Sequence, residues 1–407
     1  MEIRPVTADE APAFMKSAEA AFHEDVNPDD AEMWSKVLER DRTLAAFEGS
    51  GIVATTAIYT RELTIPGAVV SAAGVTAVGV LPSHRRRGLL TQLMRRQLDD
   101  VRAAGEAIAV LWASESSIYG RFGYGLAAQH ASVTIPTAGM QVHPDLPAPE
   151  GRMVITEPAG ARPRIEAVYD RVRRRQVGHL DRADAWWERR VRDPEHHRDG
   201  RNPLRAAVHE SPDGEVDGYL LYAVRSGWED GPNATVFVRE LVADGPVATA
   251  AVWSFALGLD LARKLEYGPA PPDIPFVDLI RGPYRARVEL GQNLWIRLVD
   301  VPAALATRTY EAPVDTVLDV DDAFCPWNAG RYRLTAGAPG TVATCEKTDA
   351  PPDLALSATD LGAAYLGGTS LAALAAIGRV RELRPGVLDP VASGFRTARA
   401  PWCPEIF

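Results

Sequence analysis

The chain has 407 residues, beyond the roughly 250–300 at which a single core stops growing, so two or three domains are expected. Apolar residues make up 46% and charged residues 24%, which excludes a disordered or fibrous chain. The formal charge of −10 disfavours nucleic acid and anionic membrane as partners and favours a cationic small molecule.

In chain order, EIRPV reads as a strand, residues 9–22 as an Ala-rich helix and 29–38 as a second helix around Trp34. Strands over 43–48 and 53–63 are separated by GSG, and Pro66-Gly67 turns the chain toward a third strand that includes 75–80. From Leu89 the apolar residues Leu90, Leu93, Met94, Leu98 and Val101 recur at helical spacing, with Gly88 at the start and Gly105 at the stop. Residues 107–112 form a continuous apolar strand, so strand, loop, helix and strand make a βαβ-type unit. The Pro- and Gly-dense stretch 136–163 reads as an irregular crossing between domains.

The order then repeats: helices over 163–175 and around Trp186 and Trp187, strands over 218–224 and 235–242, and a helix over 248–265. Its strand-to-helix turn, ADGPVATA at 243–250, lacks an arginine run, so this region reads as a degenerate copy. A strand over 295–301, further strands over 315–320 and 330–335 and a helix over 371–379 make a third, α+β region ending in APWCPEIF. The divisions expected are 1–145, 146–297 and 298–407, and the class is α/β to α+β. Cys325, Cys345 and Cys403, without CxxC spacing, read as reduced bystanders. MEIRPVTADE lacks the pattern of a signal peptide and no apolar run of membrane-spanning length follows, so a cytoplasmic location is expected.

The chemistry-bearing segment is HRRRGLL at 84–90. At a helix start, successive backbone N–H groups from Arg85 to Thr91 can point at a diphosphate, the helix dipole favours negative charge, and Arg86 and Arg87 add fixed positive charge. Gly88 permits close approach of the backbone. Upstream, Val78-Gly79-Val80 would offer a splayed strand edge to the amides of a pantetheine arm. Three arginines alone would read as a solvated turn. Between a buried strand and an amphipathic helix they mark an anion site, with acetyl-CoA the cosubstrate that needs both features.

The stretch VTAVGVLPSHRRRGLL, followed by ASESSIYGRFGYG, resembles the GNAT acetyltransferases. More narrowly it resembles the enhanced-intracellular-survival (Eis) group of actinobacterial aminoglycoside acetyltransferases, over the whole length and domain order. The GNAT pattern Q/R-x-x-G-x-G/A is met by Arg85, Gly88 and Leu90, with leucine in place of the last small residue. The resemblance implies tandem GNAT folds, the first active and the second degenerate, a C-terminal domain similar to sterol carrier proteins, and a homo-hexamer. It also implies acetyl-CoA contacts from Val78, Gly79, Val80, Arg86, Arg87, Gly88, Leu89, Leu90, Thr91, Ser114 and Glu115.

Transfer from a thioester to an amine expels a thiolate, which a tyrosine of pKa near ~10 can protonate. Ser114 can cap a short helix projecting Tyr119 toward the strand ends, and the resemblance gives Tyr119 the general-acid role. Tyr124 is its rival within the motif and is read as structural. The amine needs a base, which the resemblance supplies as the α-carboxylate of Phe407. Ile406 stands where an acidic residue occurs in Eis proteins, and Glu405 lies one step earlier.

Phe22, Glu24, Asp25 and Trp34 read either as an acidic and aromatic pocket for a polycation or as a surface acidic cluster. Gly120, Gly123 and Gly125 do not make a nucleotide loop, Asn233 opens a glycosylation sequon that a cytosolic chain would not use, and His196-His197 lacks a paired ligand, so no metal is expected. The function expected is acetyl-CoA-dependent N-acetylation of a small-molecule polyamine such as an aminoglycoside. A protein lysine acetyltransferase and a non-catalytic module binding CoA or an apolar ligand are the alternatives.

Overall fold

The computed structural model describes residues 1–407. Its contacts group into two compact units: Met1–Ala128 with Gln292–Pro401 and Glu405–Phe407, and Gln129–Gly291 with Trp402–Pro404.

The first unit begins with β1 (Glu2–Arg4), α1 (Ala11–Ala21), α2 (Pro28–Val37), β2 (Thr43–Glu48), β3 (Gly51–Ile65), β4 (Ala68–Val80), α3 (Leu89–Ala103), β5 (Ile108–Trp112), α4 (Ser116–Tyr119) and β6 (Gly125–Leu126). Local chemistry sets several ends. The Asn27 side chain accepts the Asp29 N–H at 2.9 Å and Pro28 occupies the first turn, so α2 starts there. α3 buries Leu89, Leu93, Met94, Leu98 and Val101 on one stripe, each contributing about 1.5–3 kcal/mol of burial.

The second unit contains β7 (Gln129–Pro136), β8 (Arg152–Thr156), α5 (Pro158–Arg173), α6 (Asp184–Val191), β9 (Arg205–Glu210), β10 (Val216–Arg225), β11 (Ala234–Ala243), α7 (Pro246–Leu257), β12 (Ala262–Ala270), α8 (Phe276–Leu279) and β13 (Arg287–Gln292). Two expectations change here. The crossing expected at 136–163 contains β8, an edge strand paired to β9, and α5 already begins at Pro158 with Pro163 inside it. The helix expected to reach residue 265 stops at Leu257, because Gly258 caps it and 262–270 becomes β12, drawn into parallel pairing with β11.

The chain then returns to the first unit with β14 (Leu294–Leu298), α9 (Val301–Thr307), β15 (Val314–Asp321), β16 (Gly330–Ala336), β17 (Thr344–Lys347), β18 (Leu354–Ser357), α10 (Ala358–Ala364), α11 (Leu371–Ala376), β19 (Arg381–Glu382) and α12 (Leu388–Phe395).

Three sheets result, in the orders β1-β2-β3-β4-β5-β14-β6, β8-β9-β10-β11-β12-β7-β13 and β17-β16-β15-β18-β19. The first two are copies of one topology, each with a helix crossing between its central parallel pair. Strand β7 precedes residue 145 yet belongs to the second sheet. Strand β14, at the division expected at 297–298, belongs to the first, where it pairs with β5 and β6.

Candidate active site

The site begins with a defect in β4. Thr55 lies opposite Gly79 while Ala57 lies opposite Thr76, so β4 carries one residue more than its partner. The bulge puts Ala77 at φ +49°, and the Thr55 hydroxyl donates to the Ala77 carbonyl at 2.8 Å. Bulges increase local twist and re-aim the strand. On its other edge β4 pairs with β5 only at Ala73 with Ala109 and Gly74 with Val110. From Val75 to Val80 that edge has no strand beside it, so Val78, Gly79 and Val80 lie on an edge suited to a peptide-like arm. Gly79 also has a packing reason: a Cβ there would lie 2.6 Å from the Ala21 Cβ of α1.

The arginine run divides its labour. Arg85 is spent on structure, donating to the Val80 carbonyl at 3.2 Å and the Ala21 carbonyl at 3.1 Å. Arg86 and Arg87 are exposed, with Arg87 3.6 Å from Glu48. Glu48 also meets His84 at 2.9 Å, and that hydrogen bond holds its carboxyl below the usual range. Arg86 at φ +64° and Gly88 at φ +77° alternate the backbone into a concave, N–H-lined bend. The first turn of α3 carries no acidic residue, so its N–H groups and dipole are left for an anion. Leu89 is a core side chain, Leu90 is half-buried and Thr91 exposed. Leu89 thus offers only its backbone to a ligand.

Tyr119 sits at the end of α4, 5% exposed, in a cluster with Ala73, Val75, Met94 and Leu111. Burial, and then the charge of Glu115, push its phenol up to about 12. Ser114 and Glu115 are exposed. Ser114 does not cap α4 as expected: Glu115 holds the cap position, without a side-chain capping bond, because the helix begins one residue later. Tyr124 meets Tyr119 edge-on, ring centres 6.1 Å apart. It is fully buried, its phenol is raised by burial, and its hydroxyl has no hydrogen-bond partner. Enclosure leaves it unable to touch a substrate, in line with the structural reading.

Phe407 comes to the same part of the sheet. A Cβ on Gly74 would lie 3.4 Å from Phe407 Cε2 and 3.3 Å from Arg61 Cγ. Successive strand residues face opposite ways, so Ala73 and Val75 face the Tyr119 cluster while Gly74 faces Phe407. The two residues flank β4 from opposite faces, at the last position where β4 and β5 pair. Glu405 is buried and Ile406 is 55% exposed.

The four acceptor-site residues are only partly brought together. Phe22, Glu24 and Asp25 are exposed beyond the end of α1, and Glu24 N–H donates to the Glu19 carbonyl at 3.0 Å. Trp34 stacks on Phe14, ring centres 5.9 Å apart, against the core beside α1, so its ring is committed to packing. Sequence reasoning missed Glu19, whose carboxyl is raised by burial and by Glu24 and Asp30. It also missed Arg61, buried at Gly74. The signal for Arg61 was a lone arginine inside the apolar strand GIVATTAIYTRELTI.

A splayed parallel pair, an N–H-lined basic loop and a buried tyrosine at the splay define a GNAT-type acyltransferase. Residues 2–127 match the model of an acetyltransferase (GNAT) domain, 178–298 a second acetyltransferase (GNAT) domain and 301–404 a sterol carrier protein domain. An uncharacterized N-acetyltransferase of Streptomyces avermitilis is 45% identical over 93% of this chain and 92% of its own. N-acetyltransferase Eis of Mycobacterium tuberculosis is 32% identical over 96% and 95%. The crystal structure of Eis1 from Mycobacterium abscessus superimposes with a TM-score of 0.87 at 32% identity, covering 100% of both chains. The chain belongs to the Eis-type GNAT N-acetyltransferases, with two GNAT domains followed by a sterol-carrier-like domain.

Proposed function

We propose that the chain transfers the acetyl group of acetyl-CoA directly to an amine of a polycationic small molecule, an aminoglycoside being the type case. The observation that carries this is the pairing of two groups across β4: Tyr119 on one face and Phe407 on the other, where the β4–β5 ladder stops. Arg86, Arg87 and the N–H groups from Gly88 to Thr91 hold the diphosphate, the Val78–Val80 edge aligns the pantetheine arm, and Ser114 and Glu115 border the acyl end. The Phe407 α-carboxylate takes the ammonium proton, directly or through water, which frees the amine for attack. Tyr119, protonated at neutral pH, donates toward the departing sulfur. No acyl-enzyme is required.

The charge of −10 and the Glu19, Glu24 and Asp25 carboxylates at the end of α1 support a cationic acceptor. Self-association of identical chains is part of the proposal. It rests on the resemblance and on edge strand β13, where Val288 and Leu290 are exposed.

The test is CoA-thiol release by the native chain, Tyr119→Phe and a chain lacking Phe407, on panels of aminoglycosides, linear polyamines and lysine peptides. Release with aminoglycosides, reduced about tenfold or more in both variants, is expected. Release with peptides alone would replace the acceptor by a protein lysine, and unchanged rates in both variants would sink the mechanism.

A further inference from the structure

The turn that carries Tyr119 is held largely from outside its own stretch of chain. Residues 120–126 run against α10 and end in β6, which pairs edge to edge with β14; both partners come from beyond residue 292. Gly123 has φ +83°, and a side chain there would overlap the Arg297 guanidinium. Gly125 is closed by the backbone of Thr359 and Ala363. The Thr359 hydroxyl donates to the Gly120 carbonyl at 2.9 Å, and the Thr369 hydroxyl to the Leu126 carbonyl at 3.1 Å.

Under this turn lies a buried ion pair. Arg297 is 0% exposed and Asp322, just after β15, is 4% exposed; the two are bonded directly. The second Asp322 oxygen accepts the Cys325 N–H at 2.9 Å, tying the aspartate to the backbone of the C-terminal domain. Burying two charges costs several kcal/mol per ion, and an apolar pair of the same volume is often as stable or more so. Such a pair is therefore a poor source of stability but a good source of fixed geometry. The Arg297 guanidinium fills the space that Gly123 leaves, and Tyr124, within its electrostatic reach, packs edge-on against Tyr119.

We propose that Arg297 and Asp322, assisted by Thr359, are positioning residues that brace the Tyr119 turn, so that the sterol-carrier-like domain is a working part of the acetyl-transfer site. The proposal rests on Tyr119 being the proton donor. Loss of the brace leaves the arginine loop of α3 untouched, so acetyl-CoA still binds while the hydroxyl is misaimed. Misplacement by about 1 Å can cost on the order of 10²-fold in rate.

Arg297→Lys, Arg297→Met, Asp322→Asn and Thr359→Val, each alone and combined with Tyr119→Phe, test it through kcat and the KM for acetyl-CoA. The expected result is a fall in kcat of tenfold or more for the Arg297 and Asp322 variants. KM should change less than threefold, and Lys should retain more activity than Met. In the Tyr119→Phe background the same changes should cost less than threefold further, because the donor they position is gone. Full additivity would overturn the proposal.

Hydrogen exchange reads the brace without activity. Amides from Gly120 to Tyr124 should exchange at least tenfold faster in Arg297→Lys and Asp322→Asn, while those of β2 and β3 stay unchanged. Unchanged exchange at the turn would overturn the brace even where Tyr119→Phe is inactive. A Tyr119→Phe variant as active as the native chain would instead remove the proton donor and leave the exchange result to decide the brace. Should the Arg297 variants fail to fold, Asp322→Asn and Thr359→Val, which remove one charge or one hydrogen bond, decide both readouts.

Discussion

Replacing Tyr119 by phenylalanine removes one oxygen from a side chain that is 5% exposed and leaves its packing in place. Its phenol stands at about 12, against ~8.5 for an ordinary thiol. Complete transfer of its proton to the departing sulfur is therefore uphill by about 3.5 pKa units, or about 5 kcal/mol. In the proposed role the larger part of its contribution is a hydrogen bond to developing negative charge, about 1.5–3 kcal/mol. That converts to a loss in kcat of roughly 10–150-fold. At pH 8 only about one Tyr119 in 10⁴ is ionised. In the proposed role the protonated form is the active one, so activity should be lost only as pH rises through its value of about 12, and no alkaline limb from Tyr119 is expected below about pH 11. The assay is kcat from pH 6 to 10 for both proteins, with Tm as the folding control. A loss under threefold, or a native alkaline limb near pH 9 that disappears in Tyr119→Phe, would refute the reasoning.

Three other outcomes are expected. Arg86→Ala should raise the KM for acetyl-CoA about 3–10-fold with kcat nearly unchanged, since a diphosphate contact acts on ground and transition states alike; added salt should narrow the gap. An unchanged KM at low salt would remove Arg86 from the cradle. Gly79→Ala forces a Cβ to 2.6 Å from the Ala21 Cβ and should cost about 1–3 kcal/mol by overpacking, read as a lowered Tm; an equal Tm would show that α1 yields freely. Glu19, raised by burial and by Glu24 and Asp30, loses its charge as pH falls through a value above the ordinary carboxyl range. The KM for a polycation should rise over that interval, and Glu19→Gln should abolish the dependence; a Gln variant with the native profile would exclude Glu19 from acceptor binding.

Much of the site was legible in the sequence because its parts are local. The bend at Arg86 and Gly88, the stripe of α3 and the buried strand before Tyr119 all follow from residue order, and β2 falls at 43–48 as read. Helix α7 misled because Leu261 and Leu265, each four residues on from Leu257 and Leu261, continue a helical apolar spacing past Gly258. Whether that segment becomes strand is decided by β11 and β7, which lie on either side of it in the sheet. Glu19 escaped notice because its raised carboxyl comes first from burial, which residue order does not show, and then from Glu24 and Asp30, five and eleven residues away.

The sequence by itself thus determined that a basic, glycine-bearing loop lies between a strand and a helix, that a tyrosine follows the next strand, and that a second copy lacks the arginines. These are statements about neighbours along the chain, governed by backbone conformation and hydrophobic period. Only the tertiary structure decided that β7 and β14 exchange sheets, that Phe407 lies behind Gly74, and that Arg297 and Asp322 sit under the Tyr119 turn. Those contacts join residues tens to hundreds of positions apart. They form because buried strand edges, charges and glycine gaps must each find a partner, and the one that fits is chosen by packing in space.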